Sequence, residues 1–459
     1  MIPLSLQEIA KALSGQLLGD DRTISAVSSD SRQIPADSLF VALQGERFDG
    51  HTFCAQAVAD GAVALLVSEP LPLTCPQVVV PDTRYALGLL GALVRTRVSP
   101  KVIAITGSCG KTTVKEMCAS ILSQCGTVLA TQGNLNNEIG VPLTLLRLTP
   151  EHQFAVLELG ANHPGEIAWT TSLAKPDVAL INNVAAAHLE GFGSLQGVAL
   201  AKSEIFTGLG EHGVAVVNAD SEFYSHWRSD LEPNLISFGL DNRRADVLAH
   251  DIVRDEQGGH SFTLVTPLGE IDVHLPLPGR HNIGNALAAA AAILALAAAT
   301  RPLGISLPII KQGLEGMQPV KGRLCVQQLP GVTLIDDTYN ASVESVLAAI
   351  DTLAAMPGHR VLVFGDMGEL GAEAEAQHRR VGKHALAAGL DGLYTVGTLA
   401  ALSSEEAHGQ HFADKPSLFA ALGELLQQQE QVTLLAKGAR SSRMEEVIAF
   451  VKNFKEQAC

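Results

Sequence analysis

A glycine turn followed by lysine and threonine lies between two strongly patterned segments near residue 110. The apolar run of residues 101–105 predicts a buried strand, and residues 113–121 have the apolar spacing of a helix. The peptide that joins them is Thr106-Gly107-Ser108-Cys109-Gly110-Lys111-Thr112. In such a strand–turn–helix the turn's N–H groups and the helix N-terminus point at one spot, where they can bind phosphate. The segment therefore predicts a phosphate loop for a nucleoside triphosphate.

The phosphate-loop motif is a shortened one. The full pattern G-x-x-x-x-G-K-[ST] needs a glycine at position 105, where this chain has Ile105. In the remaining G-x-x-G-K-T pattern, Lys111 adds a positive charge beside the phosphates and the Thr112 hydroxyl can reach a magnesium ion. We take the whole turn and the first helical residues as candidate nucleotide contacts: Gly107, Ser108, Cys109, Gly110, Lys111, Thr112 and Thr113.

Length and composition limit the class of protein. The 459 residues exceed what one hydrophobic core usually serves, so two or three domains are expected. A net charge of −16 without any run of Lys or Arg makes nucleic acid an improbable partner. The seven cysteines lack metal-finger spacing, as expected of thiols in a reducing cytosol. The apolar run 286–299 is short for a bilayer, and residues 1–15 lack a signal-peptide centre, so we expect a soluble cytoplasmic protein.

The pattern of strands and helices predicts an α/β protein of three domains. Residues 1–82 form a small α/β domain, residues 83–314 a central, mostly parallel sheet of the P-loop ATPase type, and residues 315–459 a Rossmann-like doubly wound sheet. Predicted strands include 40–43, 63–67, 78–80, 101–106, 155–159, 178–184, 214–218, 332–336, 360–364, 392–396 and 432–436, with an antiparallel hairpin over 260–277.

Polar residues at the ends of the central strands decide which chemistry follows the phosphate loop. Glu158 ends the strand 155–159, where a carboxylate can complete a magnesium site, although it could instead cap the next helix. His188 follows the strand 178–184, and Lys202 comes 14 residues later. Taken alone, His188 fits a packed histidine and Lys202 a solvated helix residue.

Taken in order, these motifs resemble the Mur ligases, the ATP-dependent amide-forming enzymes that build the peptide stem of bacterial peptidoglycan. In that family a shortened phosphate loop, a strand-end glutamate, a histidine and a lysine carried as its carbamate occur together. The resemblance implies that Lys111, Glu158, His188 and Lys202 are catalytic. It also implies that Thr112, Glu158, His188 and carbamylated Lys202 hold magnesium, with two ions expected, since an anionic carbamate oxygen suits this hard cation.

The resemblance also implies contacts to the adenosine and phosphates of ATP from Asn282, Asn285, Arg323 and Asp337. Amide side chains can donate to and accept from a purine edge, a carboxylate accepts from ribose hydroxyls, and arginine offers a planar fork to phosphate oxygens. Two alternatives stay open: the asparagines could cap the alanine-rich helix, and Asp337 could belong to a strand-end turn.

Further motifs resemble the branch of the family that joins D-alanyl-D-alanine to a UDP-N-acetylmuramoyl tripeptide. They are residues 364–371, residues 134–142 and, in the first domain, where such enzymes hold the UDP-sugar, residues 30–32 and 45–51. The implied substrate residues are Ser31, Arg32, Asp49, His51, Asn134, Asn136, Asn137, Asp366 and Glu369. As alternatives, these segments could be a glycine turn, an asparagine-rich loop and a cap for the helix after Gly371.

The chain departs from the family pattern at two places in the third domain. The family's Asn-Ala-Asn-Pro is here Asn340-Ala-Ser342-Val343, and its Lys-Gly-Ser-Arg-Gly is here Lys437-Gly-Ala439-Arg440-Ser441. These departures concern the details of third-domain contacts, not the reaction.

The implied reaction transfers the γ-phosphate of ATP to the terminal carboxylate of the tripeptide, and the dipeptide amine then attacks the acyl phosphate. A monomeric ligase that releases ADP and phosphate is expected. Its rivals are a sister ligase that adds the third amino acid, a folylpolyglutamate synthase-like ligase, and a nucleotide-dependent switch or binding module without covalent chemistry.

Overall fold

The first domain is a small sheet with two helices. The computed structural model describes residues 1–45, 48–185, 189–255, 258–300 and 304–457. The first elements are β1 (Leu4–Ser5), α1 (Leu6–Ala12), β2 (Gln16–Leu18), β3 (Thr23–Ile24), β4 (Ala26–Ser28), β5 (Ser38–Val41), α2 (Cys54–Ala59), β6 (Ala64–Val67) and β7 (Gln77–Val79). The order β2-β7-β6-β5-β4 is parallel except for β2, and β1 pairs with β3 outside this sheet.

The central domain alternates strands and helices before it ends in a hairpin and two further helices. Its elements are α3 (Thr83–Val98), β8 (Lys101–Thr106), α4 (Lys111–Leu122), β9 (Val128–Ala130), α5 (Gly140–Leu145), β10 (Phe154–Glu158), α6 (Glu166–Ala174), β11 (Val178–Ile181), α7 (Leu189–Phe192), α8 (Leu195–Ser203), β12 (Val214–Asn218), α9 (Tyr224–Leu231), β13 (Leu235–Gly239), β14 (Val247–Arg254), β15 (His260–Thr266), β16 (Gly269–Leu275), α10 (Arg280–Thr300) and α11 (Leu307–Glu315).

The order of the central strands brings the predicted site residues to one edge. In the described part of the chain the order is β16-β15-β14-β13-β12-β11-β8-β10-β9, parallel from β14 to β9 and antiparallel in the final hairpin. The phosphate-loop strand β8 lies between β10 and β11, with Ile105 beside Glu158 and Thr106 beside Ile181. The segments after all three strands therefore leave the sheet at its carboxyl edge, where open α/β sheets bind ligands.

The alanine-rich helix α10 covers one face of the central sheet. Its residues 286–296 are all buried, and their small side chains let the helix lie close to the strands. By length and composition α10 could also cross a membrane, but 72% of its most apolar 18-residue window is buried inside this structure. It is therefore the core helix of the central domain.

The other face of the central sheet shares its hydrophobic core with the first domain. One cluster of buried side chains runs from Leu4 and Ile9 of the first domain through Leu90 of α3 to Leu145 and Leu157 of the central domain. Because burial of such side chains stabilises the packing, α3 joins the first two domains as a shared layer.

The third domain is a doubly wound sheet with helices on both faces. Its elements are β17 (Cys325–Leu329), β18 (Val332–Asp337), α12 (Val343–Ala354), β19 (His359–Gly365), α13 (Ala374–Ala387), β20 (Gly392–Val396), α14 (Ala400–Ala407), β21 (Gln410–Phe412), α15 (Lys415–Gln428), β22 (Val432–Lys437) and α16 (Glu445–Gln457). The order is β17-β18-β22-β19-β20-β21, and every pair except β17-β18 is parallel.

The predicted α/β class and three-domain architecture are confirmed. The strands predicted at 101–106 and 214–218 are β8 and β12, and the hairpin predicted over 260–277 is formed by β15 and β16. The domain boundaries after residues 82 and 314 stay predictions. The structure begins α3 at Thr83 and ends α11 at Glu315.

Candidate active site

The phosphate loop leads from the end of β8 into the N-terminus of α4. Gly110 has φ +78°, and a Cβ there would lie 2.5 Å from both Asn182 Nδ2 and Asn285 Oδ1, so only glycine fits. The Lys111 side chain folds back over the loop and its Nζ donates to the Gly107 carbonyl at 2.8 Å. The loop shape and the lysine position agree with a site for phosphate.

Two asparagines after β11 clamp the backbone of the phosphate loop. Asn183 Oδ1 accepts from Cys109 N–H at 2.8 Å, and its Nδ2 donates to the Cys109 carbonyl at 3.0 Å. Asn182 Nδ2 donates to the same carbonyl at 2.9 Å, and Ser108 N–H donates to the Asn183 carbonyl at 3.1 Å.

The clamp restricts which loop groups can meet an anion. The N–H groups of Ser108 and Cys109 already have partners, although both residues were predicted to contact the nucleotide. The N–H groups of Lys111, Thr112 and Thr113 open α4 and therefore have no acceptor within the helix. An anion is best placed at this helix N-terminus.

Glu158 lies beside the first turn of α4 and is 3% exposed. Its Oε2 accepts from Thr112 Oγ1 at 2.9 Å, and its Oε1 accepts from Asn136 Nδ2 at 2.8 Å. Arg323, from the third domain, reaches the same Thr112 hydroxyl at 3.4 Å. The site thus combines a carboxylate and a hydroxyl, which are the oxygen donors that Mg²⁺ prefers.

The residues present fit a magnesium ion only if a ligand completes its coordination. Among the described residues, no group of three or more His, Cys, Asp or Glu side chains could hold a metal by itself. Thr112 and Glu158 would supply protein oxygens, and phosphate oxygens and water would supply the rest, as is usual for Mg²⁺.

Lys202 lies on α8 and its side chain is buried, at 3% exposed. Burial and the nearby charge of Lys111 lower the pKa of Lys202 to about 7. Within residues 1–45, 48–185, 189–255, 258–300 and 304–457, no hydrogen bond to Lys202 contributes to this pKa. Lys202 is therefore not the solvated helix residue that its sequence position alone predicted. His188 lies outside the described residues.

The two predicted adenine-contacting asparagines form part of a buried relay. Asn282 Nδ2 donates to the Pro278 carbonyl at 2.7 Å, Asn285 Nδ2 donates to Asn282 Oδ1 at 2.9 Å, and Asn182 Nδ2 donates to Asn285 Oδ1 at 2.9 Å. The relay ends on the phosphate loop through Asn182. Part of the bonding capacity of Asn282 and Asn285 therefore serves to hold α10 against the loop.

A cavity of about 380 Å³ opens between the phosphate loop, α10 and the third domain. Its lining includes Cys109, Gly110, Thr113, Asn182, Asn218, Asp241, Asn282, Asn285, Arg323, Asp337, Glu344 and Lys437. On the third-domain side, Lys437 Nζ donates to Asp337 Oδ2 at 2.5 Å, and the Arg323 guanidinium lies 4.3 Å from the Tyr339 ring centre. The cavity thus adjoins the phosphate loop and has the size of a small-molecule site.

The substrate residues predicted in the first domain lie in paired arrangements. Arg32 Nη2 donates to Asp30 Oδ2 at 2.7 Å, and this contact lowers the pKa of Asp30 to about 2. His51 Nδ1 contacts Asp49 Oδ1 at 2.6 Å, and its Nε2 accepts from Ser68 N–H at 2.9 Å. These bonds fix the loops at the carboxyl ends of β4 and β5. Ser31 lies next to Arg32 in the first of them.

The remaining predicted substrate residues divide between two loops. Asn136 binds Glu158, Asn137 Oδ1 accepts from Gly140 N–H at 2.9 Å at the start of α5, and Asn134 is exposed. Asp366 Oδ1 accepts from Leu399 and Ala400 N–H at 3.0 and 2.7 Å, so it caps α14 and not the helix after Gly371. Glu369 follows in the same loop with φ +63°.

Family models match most of the chain. The Mur ligase middle domain matches residues 105–293, the Mur ligase glutamate ligase domain matches residues 322–440, and the Mur ligase family catalytic domain matches residues 23–94.

Curated proteins and solved structures agree with these matches. The chain is 53% identical to the UDP-N-acetylmuramoyl-tripeptide–D-alanyl-D-alanine ligase of Escherichia coli K12 over 98% of both chains, and 46% identical to that of Haemophilus influenzae over 99% of both. A crystal structure of MurF from Acinetobacter baumannii superposes with a TM-score of 0.92 at 40% identity over 99% of both chains. MurF from Thermotoga maritima in complex with ADP gives 0.83 at 28% identity over 95% of this chain and 98% of that one. The chain belongs to the Mur ligase family.

Proposed function

We propose that the protein is an ATP-dependent ligase that adds D-alanyl-D-alanine to a UDP-N-acetylmuramoyl tripeptide and releases ADP and phosphate. The observation that carries the proposal is the 53% identity, over nearly all of both chains, to a ligase named for that reaction. The contact of Thr112 with Glu158 beside the N-terminus of α4 supports the proposal. The helix N-terminus suits the phosphates of ATP, and the hydroxyl and carboxylate oxygens suit magnesium.

The proposed roles at the phosphate loop follow from its geometry. The N-terminus of α4 binds the phosphates, and Lys111 exchanges its contact with the Gly107 carbonyl for phosphate oxygens. Arg323 approaches the same point from the third domain and adds positive charge. Magnesium at Thr112 and Glu158 would offset charge on the phosphoryl group that passes to the tripeptide carboxylate.

The carboxylate needs this activation because it is a poor acylating agent. The acyl phosphate reacts with the amine of D-alanyl-D-alanine to form the amide, and phosphate leaves. Closure of the three domains around the substrates excludes water, which would otherwise hydrolyse the acyl phosphate.

Lys202 is proposed to act as its carbamate and, with His188, to hold a second magnesium ion. A pKa of about 7 leaves much of the amine neutral at physiological pH, and neutral amine is the form that attacks carbon dioxide. Attack of the neutral amine on carbon dioxide forms an N–C bond and releases one proton. Together with the proton lost when the ammonium becomes neutral, two protons leave as the buried cation becomes an anionic oxygen ligand. Burial within α8 at 3% exposure supports this role over that of a surface lysine.

The proposed division of labour assigns one substrate to each domain. Residues 1–82 hold the UDP-sugar through Ser31, Arg32, Asp49 and His51, residues 83–314 hold ATP, and residues 315–459 contribute Asp366 and Glu369 to the dipeptide side. Asn282, Asn285 and Asp337 adjoin the adenosine in the cavity between the last two domains. The enzyme is proposed to act as a cytoplasmic monomer without nucleic-acid or membrane partners.

The test is mass spectrometry of the products formed from UDP-N-acetylmuramoyl tripeptides and a panel of amines, with phosphate release followed in parallel. We expect a pentapeptide product only with D-alanyl-D-alanine, and the tripeptide panel, ending in diaminopimelate or lysine, identifies the third residue. Extension of a dipeptide substrate by a single amino acid would point to a sister ligase, and glutamylation of a folate to a folylpolyglutamate synthase. Phosphate release that ignores every amine would indicate a nucleotide switch.

A further inference from the structure

The loop between β9 and α5, residues 131–139, lies against the candidate metal carboxylate, and we call it the asparagine loop. Asn136 Nδ2 donates to Glu158 Oε1 at 2.8 Å, and the Asn136 carbonyl accepts from Gly160 N–H at 2.8 Å. Glu158 N–H in turn donates to Thr131 Oγ1 at 3.0 Å at the beginning of the loop. The asparagine loop therefore holds one carboxylate oxygen of Glu158, while Thr112 holds the other.

Two residues beyond Asn136, the same loop contacts an arginine that also reaches the first domain. Arg84 Nη1 donates to Glu138 Oε1 at 2.7 Å, and Arg84 Nη2 donates to the Gln44 carbonyl at 3.0 Å. Gln44 pairs with Asp49 in an isolated antiparallel bridge. Asp49 and His51 follow in the chain, and we call residues 44, 45 and 48–51 the sugar turn.

The base of the Arg84 side chain is fixed independently of these contacts. Asp82 Oδ1 caps α3 by accepting from Arg84 and Tyr85 N–H at 2.8 and 3.0 Å. The neighbouring Thr83 hydroxyl donates to the Ala42 carbonyl at 2.8 Å. The Arg84–Glu138 pair is 42% and 35% exposed, and such ion pairs add little to stability. The contact therefore matters because it fixes the positions of Glu138 and the Gln44 carbonyl relative to each other.

We propose that Arg84 is a positioning residue that couples the UDP-sugar site to the magnesium carboxylate through the asparagine loop. Binding of the UDP-sugar peptide at the sugar turn stabilises the contact of the Gln44 carbonyl with the Arg84 fork, and the fork holds Glu138, and with it Asn136, in the position that orients Glu158. The inference rests on the proposed function, because it takes the sugar turn as a substrate site and Glu158 as a magnesium ligand. Its consequence is that the tripeptide substrate tightens the binding of magnesium nucleotide.

An arginine is required for this role because of the shape of its head group. Its planar fork presents two N–H donors in fixed directions, one toward a carboxylate and one toward a carbonyl, whereas a lysine ammonium is a point charge on a flexible stem. Arg84→Lys therefore keeps the charge and removes the two-sided link.

The experiment measures binding by calorimetry, with a non-hydrolysable ATP analogue and magnesium titrated into protein with or without saturating UDP-N-acetylmuramoyl tripeptide. In the natural protein we expect the tripeptide to tighten analogue binding by about fivefold or more. In Arg84→Lys we expect this gain to fall below about twofold, with unchanged affinity when the tripeptide is absent. Retention of the full gain in Arg84→Lys would overturn the inference.

The same helix offers a matched control. Arg95 also donates to two carbonyls, those of Ala174 at 2.7 Å and Lys175 at 2.6 Å, and among the described residues it makes no hydrogen bond to the sugar turn or the asparagine loop. Arg95→Lys should keep the full coupling, and loss of coupling in this variant would assign the effect to α3 in general and overturn the role of Arg84.

A double-variant cycle tests the route. Glu138→Gln and Asn136→Ala should each remove the coupling, and Arg84→Lys combined with either should remove no more. Additive losses would overturn the route through the asparagine loop. If the natural protein forms the pentapeptide product but shows no coupling, the inference alone fails. If it forms no product, the proposed function fails.

Discussion

The polar side chains of the sugar turn and those at the carboxyl edge of the central sheet differ in how they are hydrogen-bonded. At the sugar turn Asp49, His51 and Ser68 satisfy one another, and this bonding holds the turn in shape. At the central edge Lys202 is buried, and among the described residues the Glu158 carboxylate accepts from one hydroxyl and one amide. Burial lowers the pKa of the Lys202 amine to about 7, and a group with so shifted a pKa at the edge of a sheet indicates a candidate functional site. Paired polar groups carry no such signal.

The largest effect is expected when the lysine of the phosphate loop is removed. Lys111→Ala should lower the rate of ligation by about 100-fold or more and leave the fold intact, because loss of a preorganised group that stabilises transition-state charge typically costs that much. Turnover and circular dichroism check it, with Lys101→Ala at the other end of β8 as the control. Near-natural turnover in a folded Lys111→Ala protein would refute the phosphate-loop assignment.

The second largest effect is expected at Lys202. Lys202→Ala and Lys202→Arg should both lose most activity, since alanine lacks the amine and guanidinium stays protonated and cannot take up carbon dioxide. Acetate or formate should partly restore Lys202→Ala by supplying an oxygen ligand. The assay uses saturating magnesium with and without the carboxylate, and Lys383→Ala, at a lysine 68% exposed, is the control. Full activity of either Lys202 variant contradicts the carbamate.

The third effect is a pH-dependent loss of folding stability caused by the buried Lys202. Its pKa is about 7 when folded and about 10.5 when unfolded, so the natural protein gains stability as the pH rises between these values, whereas Lys202→Met does not. The stability advantage of Lys202→Met should therefore be about 2 to 3 kcal/mol larger at pH 6 than at pH 9. Denaturant unfolding in buffer free of carbon dioxide and nucleotide measures it. An advantage independent of pH would mean that the lysine is not desolvated.

A smaller effect, confined to one substrate, is expected at the sugar turn. Asp49→Ala and Arg32→Ala should raise the KM for the UDP-sugar peptide about tenfold while the KM for ATP stays within about twofold, since a hydrogen bond to a charged group contributes roughly that much. Steady-state kinetics with each substrate varied in turn provides the test. Equal losses for both substrates would show that the assignment of the first domain is wrong.

The smallest effect is expected at Asp366, and it shows whether this carboxylate only caps α14 or also contacts the substrate. Asp366→Ala should destabilise the third domain by about 1 kcal/mol, because it removes the acceptor at the start of α14. Asp366→Asn keeps an acceptor oxygen there and should keep nearly all of that stability. If Asp366→Asn is stable but has a raised KM for D-alanyl-D-alanine, the carboxylate serves the substrate. Unchanged kinetics would leave it a cap.

Local patterns predicted what is local in the fold. Strands β8 and β12 are short, continuous apolar runs, and the phosphate loop is one strand–turn–helix, so each could be recognised from adjacent residues. Strands β13 and β14 were not predicted, because β13 contains Ser237 and ends at Gly239, and β14 contains Asp251 and Arg254.

Contacts between distant residues could not be predicted in the same way. The clamp by Asn182 and Asn183 acts on Cys109, more than 70 positions earlier, and Asp366 caps a helix more than 30 positions later. Two amides directly after a buried strand were the available signal for the clamp. Asn136 was assigned to substrate from its motif, and only the fold brings it to Glu158.

The cavity beside the phosphate loop has walls from two domains, and Cys109 Sγ and Ser342 Oγ meet across them at 3.1 Å. Separation of those walls would widen the way out for a nucleotide held between them. We therefore expect the residence time of spent nucleotide to follow the rate of this separation, and turnover to slow as solvent viscosity rises, even though no bond to the nucleotide has changed.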